Sequence, residues 1–249
     1  MPKPMPAPKP QPKPAPMPKP APTAVYLDKM DDATRASFVD QALKAKLPAG
    51  FHDDITQRMI LAANWNDKPE VVTSTKAEAA AKKAGAVVLY RTNNPRGSIA
   101  TAKKYSDMFR TDDVFSTGGS RGQTYGGGIY FSSSLNGSKL YGRSGNSNTI
   151  GAVLNKNAKV VDMSDLRGHM GTSWLKRNPK TARKLGFYRD RFGLSKRKYD
   201  MGSYTALAMA MGYNVVVNNI GGGEKYYTVL NRGALTTSTK NYWNSKGMR

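Results

Sequence analysis

The 249 residues carry 39 Lys and Arg against 17 Asp and Glu, a net charge of +22, with no cysteine and two histidines. The missing cysteines exclude a disulfide framework and any thiolate metal site, and His52 and His169 lie far apart in sequence, so no metal is expected. No apolar run approaches the ~18 residues of a membrane span, and the basic N-terminus lacks the apolar stretch of a secretory signal, so neither is expected.

The chain opens with proline at every even position from Pro2 to Pro22, with Lys3, Lys9, Lys13 and Lys19 between them. Such a segment cannot donate to helix or sheet ladders and reads as extended polyproline II, roughly 70 Å if straight. It is a basic spacer that either tethers the domain to an anionic surface or keeps it in solution. From Ala24 the pattern turns helical. Asp31 or Asp32 caps a helix in which Phe38, Val39, Ala42, Leu43 and Leu47 recur at helical spacing before Pro48. A second helix starts near Asp53 with Ile55, Met59 and Ala62 on one face, and His52 reads as a residue at its start. Thr75-Lys76-Ala77-Glu78 is a capping-box sequence opening an Ala-rich helix that stops at Gly85.

Ala86-Val87-Val88-Leu89-Tyr90 is an apolar run of strand length ending on Arg91, which reads either as a rim residue or as an anion ligand. Ser98 caps a helix through Tyr105, and Asp107 to Gly122 is a polar, Gly/Ser-rich loop of the kind that covers a ligand. Next come Tyr125-Gly126-Gly127-Gly128-Ile129-Tyr130-Phe131-Ser132 and two further serines, then a short polar helical segment ending on Tyr141. Three glycines feeding a β-rich run make a corner where backbone approaches a flat ligand closely; a Gly-rich turn into an ordinary strand gives the same composition.

Thr149–Leu154 and Ala158–Val161 read as strands. From Arg167 to Asp200 the chain is strongly basic, with Trp174, Phe187, Tyr188, Phe192 and Tyr199 interleaved. That mixture suits phosphate contacts with base stacking, and amphipathic helices packing their aromatics inward produce it too. Gly202–Met211 is an Ala/Met-rich helix stopped by Gly212, Tyr213–Val217 is a buried strand, and Gly221-Gly222-Gly223 turns the chain into Tyr226-Tyr227-Thr228-Val229-Leu230-Asn231-Arg232.

Three of these stretches, in this order, resemble the motifs of the ADP-ribosyltransferase superfamily. The Leu89-Tyr90-Arg91 strand resembles that family's first catalytic strand, whose arginine binds the NAD+ diphosphate and neighbouring ribose; the family usually has glycine next, where this chain has Thr92. Gly126 to Phe131 matches the Gly-x-Gly-Ile-Tyr-Phe strand, with Ser138 and Tyr141 on the serine and tyrosine that follow it. The resemblance implies that NAD+ is a co-substrate, its nicotinamide held between Tyr130 and Tyr141, its amide bonded by Ser138, with Gly128 and Ser132 lining the pocket. The ending resembles that of phage-encoded members. There the family's catalytic glutamate stabilises the oxocarbenium-like transition state. Its position falls on Tyr226, and Glu224 stands two residues earlier. Strand parity puts 224 and 226 on one face, so Glu224 points into the cleft, or a bulge shifts it into the catalytic place, or the chemistry is lost.

The expected fold is therefore α+β: split, antiparallel-rich sheets around an NAD+ cleft at 86–240, a helical N-terminal lobe at 24–85, a Pro/Lys arm at 1–23 and a basic tail at 241–249. The expected function is mono-ADP-ribosyl transfer to a host protein or nucleic acid, with Glu224 and Arg91 catalytic and Arg91, Gly128, Tyr130, Ser132, Ser138, Tyr141 and Tyr226 around the NAD+. The alternative is a non-catalytic virion protein that binds packaged DNA and other virion components. A phage origin implies residence in the virion or the host cytoplasm. The charge attracts nucleic acid, anionic lipid or acidic protein, and nucleic acid, bound in a salt-dependent and mostly sequence-blind way, is the first expectation. No Walker phosphate loop, Rossmann fingerprint or nucleophile elbow competes with this reading.

Overall fold

A computed structural model describes residues 24–48, 53–65, 67–92, 99–112, 127–140, 149–190, 193–195 and 201–240. The proline-lysine arm, His52, most of the predicted covering loop and the C-terminal tail lie outside them. Helix α1 (Asp32–Lys44) begins where extended Asp31 accepts the Thr34 N–H at 2.9 Å, and α2 (Ile55–Ala62) begins on Asp54, which accepts from Gln57 N. Each carboxylate satisfies one of the N–H groups that a helix start leaves without an intrahelical partner. β1 (Glu70–Val72) then leads into α3 (Ser74–Ala81). The cap of α3 is Thr73 rather than the predicted Thr75, because β1 delivers Thr73 already extended and its hydroxyl meets Lys76 N first.

After β2 (Val88–Thr92), α4 runs from Ile99 to Thr111. Asp107–Thr111, expected in a loop, is therefore helical: Phe109 lies one turn beyond Tyr105 and is fully buried. The order continues β3 (Ile129–Ser132), α5 (Leu135–Leu140), β4 (Thr149–Leu154), β5 (Val160–Asp162), α6 (Met163–Arg167), α7 (His169–Arg177), α8 (Pro179–Lys184) and the hairpin β6 (Tyr188–Asp190) and β7 (Gly193–Ser195). It closes with α9 (Met201–Ala210), β8 (Val215–Asn219), β9 (Lys225–Val229) and β10 (Leu235–Ser238).

The class is α+β. Rather than a split pair of sheets, eight strands form one mixed sheet in the order β1-β10-β4-β2-β3-β9-β8-β5, with β6–β7 a separate hairpin. β1 runs parallel to β10 and β5 parallel to β8, while the other neighbours are antiparallel. The join is narrow: β2 and β3 share the single register pair Tyr90↔Ser132, so two four-stranded halves part on either side of it.

One face of the sheet buries Leu89, Ile129, Phe131, Ile150, Tyr227 and Val229 against α4, with the Phe109 and Phe131 rings edge-on at 5.9 Å. On the other face Val216 and Leu230 enter a larger core with α9, α2 and α1, and Val153 meets Ala77 of α3. Residues 24–85 are consequently not a lobe apart. Leu27, Val39, Met59 and Trp65 share one core with Leu207 and Met209 of α9, and β1 forms an edge of the sheet. Short amphipathic helices hide too little apolar surface among themselves to be stable alone, and the sheet face supplies the rest.

Candidate functional site

Register assembles the site. Ser132 of β3 stands opposite Tyr226 of β9 and Tyr90 of β2, and Tyr226 stands opposite Asn218 of β8. Directly paired residues share a face, so these four side chains form a row across the middle of the sheet. Alternation adds Thr92, Tyr130 and Thr228 to the same face. Helix α5 packs over β2 and β3 there, and α9 packs against β8. Tyr226 is buried and Tyr130 half-buried. Gly128, with φ +138°, starts β3 against Thr228, whose γ-methyl would lie 2.5 Å from an added Cβ.

The β8–β9 hairpin brings Glu224 to this face. Gly221, Gly222 and Gly223 all have positive φ (+91°, +62° and +80°), a run of left-handed backbone that residues with a Cβ rarely adopt. Bonds from Glu224 N to Gly221 O (3.3 Å) and from Ile220 N to Glu224 O (3.4 Å) close the turn. The Glu224 carboxylate then accepts a hydrogen bond from Ser132 Oγ at 2.6 Å, while Ser132 Oγ accepts from Ser134 N at 2.9 Å. Ser133 pins the neighbouring backbone: its N–H donates to Lys225 O and its Oγ accepts from Lys225 N, both at 2.9 Å. Gly137 of α5 completes the seat, since a Cβ there would overlap Glu224 Oε1 and fall 2.8 Å from Ser132 Oγ. Glu224 thus stands two residues before Tyr226 and bonds the serine that Tyr226 opposes.

Ser138 is joined to β2 and β4 by hydroxyls. Its Oγ donates to Leu135 O at 2.8 Å and lies 2.9 Å from Thr92 Oγ1, which lies 2.9 Å from Thr149 Oγ1. With its proton committed to a carbonyl, Ser138 offers an incoming group an acceptor. Arg91, one residue before Thr92, starts from the opposite face. Its Nη1 donates to the Tyr130 carbonyl at 3.1 Å where β2 and β3 part. Tyr141 lies outside the described residues. The structure therefore gathers Gly128, Tyr130, Ser132, Ser138, Glu224 and Tyr226, with Arg91 reaching Tyr130 from the other side.

Four participants escape sequence reasoning: Gly137, Thr92 as a partner of Ser138, Asn218 and Thr228. The Asn218 side-chain nitrogen and the Thr228 hydroxyl are buried with no hydrogen-bond partner among the described residues. Alternation with Tyr226 could have placed Thr228 on this face, whereas Asn218 reaches it through pairing with Tyr226 and Thr92 meets Ser138 across 46 residues of chain, so no local pattern signals those two. Among the described residues no group of three or more His, Asp or Glu is placed to hold a metal ion, and no helix is long and apolar enough to cross a membrane. Comparison with protein-family models, curated proteins and solved structures gives no match.

Proposed function

We propose that the chain is an NAD+-dependent mono-ADP-ribosyltransferase of bacteriophage origin that modifies a host macromolecule. The observation that carries this reading is the seating of the Glu224 carboxylate on Ser132 and Gly137, on the sheet face that also bears Tyr130 and Tyr226. The residues are compatible with a nicotinamide nucleotide: the half-buried phenol of Tyr130 for a flat cationic ring, Ser138 as an acceptor, and buried polar atoms of Asn218 and Thr228 that lack partners among the described residues. NAD+ supplies an N-glycosidic bond whose cleavage releases nicotinamide and leaves ADP-ribose for transfer. Glu224 is the group that accepts a hydroxyl and offsets developing positive charge, and Ser132 orients it by donating to one carboxylate oxygen. Arg91, which starts from the opposite face of the sheet, donates to the Tyr130 carbonyl and so holds the strand that carries the tyrosine.

Transfer of label from 32P-NAD+ to a bacterial lysate, read with nicotinamide release, tests this. Glu224→Gln keeps shape and removes charge, and the rate is expected to fall about 100- to 1000-fold with NAD+ affinity much less changed. Tyr226→Phe is expected to leave the rate within a few-fold. The second reading, a non-catalytic DNA-binding virion protein, draws on the tyrosine at 226 and the net charge of +22. A wild-type chain with no turnover that gains it on Tyr226→Glu would establish that reading instead.

A further inference from the structure

We propose that the solvent face of α7 and α8 docks the phosphodiester backbone of duplex DNA, independently of the NAD+ reading. On α7, His169, Ser173, Lys176 and Arg177 recur along one helical stripe and, with half-buried Met170, line a shallow hollow. On α8, Lys180, Arg183 and Lys184 recur at i, i+3 and i+4 and line a second hollow with Ser37 and Asp40 of α1. The two stripes meet at the Asn178-Pro179 turn. The α7 stripe alone runs roughly 12 Å at 1.5 Å per helical residue.

The charge on this surface is largely uncompensated. From Arg167 through Arg189 the sequence has no acidic residue. Lys176, Arg177, Lys180 and Arg183 are exposed and form no ion pair among the described residues. The acids that meet α8 belong to α1 and are already engaged, while Asp165 of α6 is exposed beside α7. Asp40 bonds Lys184 at 2.6 Å and Lys44 at 2.7 Å, and Asp32 accepts the backbone N–H groups of Lys180 and Thr181 at the start of α8. The platform is firm: Leu175, Ala182 and Leu185 anchor both helices in the core, and Arg35 of α1 bonds Asn178 at 2.7 Å while lying over the Trp174 ring.

Chemistry favours nucleic acid over a bilayer. A helix that lies on a membrane inserts apolar anchors, and the large apolar side chains exposed among the described residues are on neither α7 nor α8. Exposed arginine and lysine recurring along both helices suit phosphate oxygens, which position a duplex without reading its sequence.

The test uses the full chain, so that the N-terminal arm contributes equally throughout, and no NAD+. Anisotropy of a labelled duplex of about 20 base pairs is followed between about 50 and 300 mM salt. Lys180→Glu with Arg183→Glu is expected to weaken binding roughly tenfold or more at 0.1 M salt and to make the log K against log[salt] slope shallower by about 2. The control pair Lys82→Glu with Lys83→Glu, exposed at the end of α3, makes the same charge change elsewhere and is expected to shift affinity less than about threefold. Lys180→Gln with Arg183→Gln gives the same slope change without added acids, should the first pair fail to fold. Equal losses for the α8 and α3 pairs would overturn the proposal, since net charge alone would then account for binding. So would an α8 pair that loses binding to phosphatidylglycerol vesicles while holding DNA as the wild type does.

Discussion

Gly137 stands where any side chain collides with Glu224: an added Cβ overlaps Oε1 and crowds Ser132 Oγ. Alanine is ordinarily the better helix residue by about 1 kcal/mol, so in α5 the substitution favours the helix while it evicts the carboxylate. Gly137→Ala is therefore expected to leave thermal stability within about 1–2 kcal/mol of wild type, as helix gain offsets the lost charge-assisted bond. Nicotinamide release is expected to fall about as far as in Glu224→Gln, by about 100-fold or more. Full activity in Gly137→Ala would show that the seat is not needed. The sequence marks Glu224 as a candidate through its parity with Tyr226, because alternation is a local property of a strand. It does not mark Ser132 as its donor or Gly137 as its seat. Those depend on a hairpin and a helix some ninety residues apart, 92 for the Ser132–Glu224 bond.

At the scale of elements, α8 is held to α1 by charge as well as by packing. Hydrogen bonds from Lys184 and then Lys44 hold the Asp40 carboxyl down to about 2 from its ordinary value of 3.8. A folded value below the unfolded one means that the contribution to stability is present above about pH 4 and is lost as pH falls through about 2. The wild type should thus lose more melting temperature between about pH 4 and pH 2 than Asp40→Asn does, measured by circular dichroism. Parallel pH profiles would show that the Asp40 pairs add nothing to the α1–α8 contact. Helices with clear caps were readable: Asp31 caps α1, and Gly85 and Gly212, both at positive φ, follow α3 and α9 as the sequence pattern predicts, whereas α6, α7 and α8 were read only as a basic stretch. Of the short strands, three were not. β1 has three residues, largely solvent-facing, and exists because β10 pairs with it; β6 and β7 likewise depend on one another. The ends of α4 and α3 moved because a buried Phe109 and an already extended Thr73 outweighed the local punctuation.

For the whole molecule, a net charge of +22 repels itself, and folding brings those charges closer together. Added salt screens that repulsion, with a Debye length of about 10 Å at 0.1 M, so the melting temperature is expected to rise between about 20 and 300 mM NaCl. A falling melting temperature would mean that the ion pairs outweigh the repulsion. The α+β class was legible from the mixture of helical and strand periodicities, whereas the continuity of the sheet was not, since one pair, Tyr90↔Ser132, decides whether its halves are joined. Strand order also carries a consequence for biosynthesis. β10 is the last described strand in the chain, yet it lies between β1 and β4, and its Thr236 bonds Glu70 across 166 residues. A ribosome adding ~5–20 residues per second makes Glu70 wait roughly 10–30 s for that partner. Until then β1 has no neighbour in the sheet and the outer edge of β4 is open to pairing with another nascent chain. A message cut short before Leu235 would leave that edge permanently bare, so premature termination yields a sticky fragment rather than a smaller version of the same fold.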